Sequence, residues 1–271
     1  HSAAESIESQ YALLTNDLPV LSVGQINSCI PTDYNCQGCG GGDYIGAWNY
    51  LANTSVVRPE VLDAVTENWA YPIPLSDWFF NFSHGPTMTE ELGGAWDKNR
   101  TYSTTCRNIR KEWNNPATAW FAELTAAGVS GYGLVDSNLP TGGPAAQKAL
   151  RDVGPQSVSV AAGNWQWYES GVFKNSNSTG IDNEWQVDHA VQMVGYGFDK
   201  GVDMNYWIVR NSWSTLWGEE GFIRLWRAKA GEAEPCNANP GLGQGSVCGT
   251  SAVLSEVAYP IVYEHTPTKF G

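Results

Sequence analysis

The chain has 271 residues, of which 42% are apolar and only 16% charged, a balance that excludes a disordered polypeptide and suffices for one large domain or two lobes. A formal net charge of −13 argues against a nucleic-acid partner, and no apolar run approaches the roughly 20 residues a membrane span needs. Six cysteines, at positions 29, 36, 39, 106, 236 and 248, and four N-x-S/T sequons, at Asn53, Asn81, Asn99 and Asn177, point to an oxidising secretory compartment. The opening "HSAAESIESQYALL" lacks the basic region and long apolar stretch of a signal peptide, which is compatible with a mature secreted product.

In chain order, residues 2–15 are predicted to form a helix, with Ala3, Ala4, Ile7, Tyr11 and Leu14 on one face at helical spacing. That helix lacks a capping segment, as though cut off at its front. "SCIPTDYNCQGCGGGDY" (28–44) reads as a turn-rich loop ending in three glycines, followed by a second helix from Ile45 to Leu51. Residues 52–105 show no strong period, hold three of the four sequons, and are expected to be a long surface excursion. "PAAQKALRDVG" (144–154) predicts a short helix ended by Gly154. Short runs rich in valine and aromatics at 156–162, 189–195, 205–210, 221–226 and 257–263 predict strands of an antiparallel sheet or barrel. Helices first and strands later indicate an α+β protein of two lobes.

The chemistry rests on "QVDHAVQMVGYG" (186–197) and "NYWIVRNSWSTLWGEEGFIRL" (205–225). A histidine that acts as general base needs a neighbour to accept the ring N–H it does not use. Asn211 offers its side-chain carbonyl for this, and Trp213 would shield the bond from water. Spacing alone does not separate this reading from a structural histidine at a strand end.

The wording of these two motifs closely resembles the papain-like cysteine proteases, the group that includes the cathepsins. "LSVGQINSC" (21–29), "GCGGG" (38–42), "VGPQSVSVAA" (153–162) and "AYPIV" (258–262) are similar to further segments of that family, in the family's order. The resemblance implies a helical lobe over 1–127, a β-rich lobe over 128–271 carrying the histidine, and a cleft between them. It implies that His189 is the base, Asn211 its orienting partner, and Trp217 a residue packed on the leaving-group side. It needs no metal and no organic cofactor. Gly41, Gly42, Asp43, Tyr44, Ser159 and Ala190 are expected to line the substrate cleft, with Glu256 at the floor of the pocket that selects the substrate side chain. A solvent-facing Glu256 is equally compatible with the spacing.

The sequence departs from the family in two places. Ser214 stands where the family usually has glycine. The family's nucleophile lies in a Cys-Gly-Ser-Cys-Trp-Ala run, and the resemblance sets that cysteine three residues before His1. As given, the chain is therefore expected to be inactive on its own. The family resemblance pairs Cys29 with Cys106, and elimination leaves Cys236 with Cys248. Cys39 is expected to bond a cysteine upstream, and Cys36 is left without an assigned partner. A redox or zinc role for Cys36-x-x-Cys39 lacks a second CxxC or a His pair at ligand spacing. The resulting expectation is a secreted, extracellular or lysosomal or vacuolar endopeptidase acting on peptides or proteins, possessing a disulfide-held N-terminal segment. The alternative is a catalytically inactive extracellular module on the same fold.

Overall fold

Alternation of large apolar residues with small or polar ones builds much of the second half of the chain into sheet. The computed structural model describes residues 1–21, 23, 26–27, 30–37, 40–54, 56–57, 125–174, 185–238 and 245–264. They form helices α1 (Ser2–Thr15) and α2 (Tyr44–Thr54), strands β1 (Val56–Val57) and β2 (Thr125–Val135), and helix α3 (Gly143–Asp152). Strands β3 (Gln156–Val160), β4 (Val172–Phe173), β5 (His189–Asp199), β6 (Met204–Arg210) and β7 (Phe222–Arg227) follow. The short pair β8 (Cys236–Ala238) and β9 (Ser246–Cys248) precedes the closing strand β10 (Val257–Tyr263). The chain divides into two compact units, His1–Ser2 with Tyr132–Tyr259, and Ala3–Gly131 with Pro260–Gly271. Cys29, Cys39, Cys106, Asn81, Asn99, Asn177 and most of the expected excursion lie outside the described residues.

In the first unit the strands run in the order β10-β3-β5-β6-β7-β4, antiparallel except for the parallel pair β7-β4. Every second residue faces one side, so Val158 and Val160, Val191 and Met193, Trp207 and Val209, and Ile223 and Leu225 are all at most 2% exposed. Burying each such side chain contributes about 2 kcal/mol relative to exposure, which fixes the register against a one-residue slip. Helix α3 adds Ala146 and Leu150 to this core. It ends as the sequence suggests, with Gly154 at φ 111° just beyond the last turn. Cys236 and Cys248 are disulfide-bonded across β8 and β9.

The second unit holds α1 and α2. Trp48, fully buried, donates its indole N–H to the Ala3 carbonyl at 3.2 Å, and Ile7, Leu21 and Leu51 are buried in the same unit. The one-sided pattern expected for α1 is corrected: Ser2 to Ile7 are buried all round, whereas Leu13 and Leu14 are exposed. Asn53 sits in the last turn of α2. Cys36, expected among the disulfide cysteines, is a free buried thiol whose S–H donates to the Asp43 carbonyl at 3.5 Å. Burial pushes its pKa up. Among the described residues no helix is long and apolar enough to cross a membrane.

One buried charge in the first unit has consequences for pH. Glu234 is 4% exposed; its Oε1 accepts the Ala228 N–H at 3.2 Å and lies against Gly143, where a Cβ would crowd it. Burial raises its pKa from 4.5 to about 7, against the opposing pull of that N–H and of Arg227. Since the folded value exceeds the unfolded one, the stability from this carboxyl is complete below pH 4.5 and is lost as pH rises through about 7. The loss amounts to about 3 kcal/mol at most. Melting of wild type between pH 4.5 and 8 is expected to show this decline, and Glu234→Gln is expected to flatten it. A decline of equal size in Glu234→Gln would assign it to other groups.

Candidate active site

The antiparallel register brings the histidine and the asparagine together. His189 opens β5 opposite Val160 of β3, and Asn211 directly follows β6, whose Arg210 pairs with Gln192. Residues 22 apart in sequence thus meet with His189 Nε2 and Asn211 Oδ1 at 2.9 Å. The same Oδ1 accepts the Ser212 backbone N–H at 2.8 Å. An N–H only donates, so this contact fixes which amide atom is the oxygen. An oxygen at that point in turn requires the proton on His189 Nε2, which leaves the lone pair of the neutral ring on Nδ1. Asn211 is 5% exposed, and its own N–H donates to the Gly221 carbonyl at 2.9 Å. Asp188, the acid beside the histidine, accepts the Ala162 N–H at 2.8 Å, so it secures the backbone after β3.

An aromatic wall encloses the pair. Trp213 stacks on the His189 ring with centroids 5.4 Å apart and planes 26° from parallel, and it meets Trp217 edge-on at 5.3 Å. Behind both stands Trp165, fully buried, stacked on Trp217 at 6.1 Å and edge-on to His189 and Trp213 at 6.5 Å each. The Trp217 indole N–H donates to the Trp165 carbonyl at 3.1 Å. Sequence reasoning missed Trp165. It lies in a single 3-10 turn, Trp165–Trp167, where no hydrophobic period marks it. The His189–Asn211 bond is itself part-buried beside these rings.

The family description "Papain family cysteine protease" fits residues 1–239. The chain belongs to the papain family. It is 28% identical to cysteine proteinase COT44 of Brassica napus over 99% of its own length and 60% of that protein. It is 29% identical to digestive cysteine proteinase 2 of Homarus americanus, over 96% of this chain and 58% of that one. A germination-specific cysteine protease 1 of Arabidopsis thaliana is 37% identical over 52% of this chain and 31% of its own length. The chain thus spans three fifths or less of these curated relatives. The solved bromelain protease of Ananas comosus in complex with the E64 inhibitor superposes with a TM-score of 0.57 at 24% identity. That comparison covers 96% of this chain and 86% of the other. The α+β papain-like fold is thereby shown.

The loop that carries Asn211, Trp213 and Trp217 is clamped at its far end. Glu219 binds Arg224 through both carboxylate oxygens and accepts the Gly171 N–H at 2.9 Å, while Asp199 takes another Arg224 nitrogen at 2.8 Å. Hydrogen bonds from Arg224 hold the Glu219 and Asp199 carboxyls below their usual ranges, and Glu219 raises the Arg224 pKa.

The residues expected to contact substrate fall into two groups. Ser159 pairs with Ala190 across β3 and β5, one position from His189. Ser159 Oγ donates to Glu256 Oε2 at 2.8 Å, and the Ser159 N–H donates to the Glu256 carbonyl at 3.2 Å. Glu256 is partly buried. Gly41, Gly42, Asp43 and Tyr44 belong to the other unit, where Asp43 Oδ1 accepts the Ile45 N–H at 2.8 Å at the start of α2. Gly41 has φ 101°, a conformation that favours glycine.

Ser214 occupies a backbone position that favours glycine. Its φ is 79°, in the left-handed region where a Cβ costs energy. Its hydroxyl recovers part of that cost by accepting the Leu216 N–H at 3.3 Å. Ser214→Gly is expected to stabilise the fold by about 0.5 kcal/mol, read as a higher midpoint in urea. A lower midpoint would mean that the hydroxyl contact outweighs the backbone strain.

Proposed function

We propose that the full-length protein is a papain-like cysteine endopeptidase, with its nucleophilic cysteine upstream of His1. The observation that carries this is the 2.9 Å contact of His189 Nε2 with an Asn211 Oδ1 whose identity the Ser212 N–H fixes. A ring held this way offers Nδ1 to a thiol. Proton transfer gives a thiolate–imidazolium pair, favoured where the cysteine also begins a helix. The thiolate attacks the scissile carbonyl, and the imidazolium gives its proton to the departing amine. Water then hydrolyses the thioester with His189 as base. Trp217 packs on the leaving-group side, and no cofactor takes part.

Substrates are peptides or proteins. Glu256, hydrogen-bonded to Ser159 beside Ala190, supplies a negative charge that suits a basic side chain in the selecting pocket as well as an apolar one. Asp43, Tyr44, Gly41 and Gly42 contribute backbone and side-chain groups to an extended substrate. A secreted or lysosomal or vacuolar location suits the family, the disulfide and the sequons. Cys39 bonds an upstream cysteine, so an N-terminal segment stays attached.

The test is labelling of the full-length protein with an epoxide directed at active-site thiols, alongside hydrolysis of peptides with arginine or leucine at the selecting position. One labelled cysteine upstream of His1 is expected. His189→Ala should abolish hydrolysis, Asn211→Ala should slow it by on the order of 10²-fold, and Glu256→Ala should lower the arginine-to-leucine ratio. An unlabelled protein with no hydrolysis overturns the reading in favour of an inactive module.

A further inference from the structure

The buried segment after the disulfide has a strained backbone. Gly249 has φ 83°, and Ser251 and Ala252, neither of them glycine, have φ 54° and 59°. Consecutive non-glycine residues in this region are costly and persist only where their surroundings over-determine them. Three contacts do so here. Cys248 is disulfide-bonded to Cys236, the Ser251 carbonyl accepts the Ala161 N–H at 2.8 Å, and Ser251 Oγ accepts the Trp165 indole N–H at 3.0 Å. Ser251 is 2% exposed and Trp165 fully buried, so water does not replace that acceptor without opening the site.

Trp165 is the ring on which the active-site wall converges. Its face stacks on Trp217, its edge meets Trp213 and His189, and its carbonyl holds the Trp217 indole. We infer that Ser251 is a positioning residue for the peptidase, acting through its hydrogen bond to Trp165 to hold the Trp217 and His189 rings in place. This inference rests on the function proposed above. It assigns a purpose to the strain: the left-handed turn aims the Ser251 hydroxyl at an indole N–H that otherwise has no acceptor in a closed core. The contact joins residues 86 apart, and neither motif around the histidine or the asparagine contains it.

The test is a double-mutant cycle in the full-length protein. Ser251→Ala keeps the Cβ, so it removes the acceptor without relieving the backbone. Trp165→Phe keeps a ring but removes the donor. Ser251→Ala is expected to lower kcat by on the order of tenfold with KM changed less than about twofold. It should also displace the pH–kcat profile and shift the Trp165 indole proton resonance. In the Trp165→Phe background, Ser251→Ala should have no further effect, because the bond is already absent. Fully additive effects, or a Ser251→Ala protein that melts lower while kcat, the pH profile and the indole resonance stay unchanged, would overturn the positioning role. An inactive wild type would refute the peptidase reading and with it this role, whereas an active wild type with additive effects refutes Ser251 alone.

Discussion

Everything proposed for this protein depends on one carbonyl oxygen. Asn211 Oδ1 accepts two donors, the Ser212 N–H at 2.8 Å and His189 Nε2 at 2.9 Å. The backbone donor permits only oxygen at that position, and oxygen permits only a protonated Nε2. A histidine with an ordinary solution tautomer equilibrium becomes a ring that presents Nδ1. Trp213 stacks on that ring.

The fold works to keep this oxygen still. The register of β5 and β6 sets His189 and Asn211 within reach, and the Val, Trp and Ile residues buried between the strands prevent slippage. The loop from Asn211 to Gly221 closes through the Asn211 N–H to the Gly221 carbonyl, and Arg224 clamps its end through Glu219. From the other side, the bonded pair Cys236–Cys248 and the strained turn at Ser251 and Ala252 support Trp165. Opposing titrations accompany these contacts. The Glu219 contribution is lost as pH falls through its lowered pKa, and the Glu234 contribution as pH rises through about 7.

Much of this was legible in the sequence, for reasons that can be named. The existence of α1 over residues 2–15 was legible from its apolar spacing, though not the face it buries, and the strands at 189, 205 and 257 from their runs of valine and aromatic residues. The His–Asn pair was legible from motif wording, since spacing alone does not place two residues 22 apart in one site. Strand β2, with Gly128, Gly131 and Gly133 in its length, was not among the predicted strands. Gly128 and Gly133 lie under the rings of Tyr263 and Tyr259, which occupy the space a Cβ would fill. Trp165 and Ser251 were illegible as well. Their importance lies in one long-range hydrogen bond and in backbone strain, and neither leaves a local pattern.

The most direct measurement is the imidazole nitrogen spectrum of His189 in protein labelled with nitrogen-15, at a pH where the ring is neutral. The account predicts a protonated Nε2 and an unprotonated Nδ1, with scalar or dipolar evidence of a hydrogen bond from Nε2–H. In Asn211→Ala that preference should relax toward a mixture of tautomers. A ring protonated on Nδ1 in the wild-type protein would contradict the assignment of Asn211 Oδ1 as its acceptor, and with it the proposed role of His189 as the base.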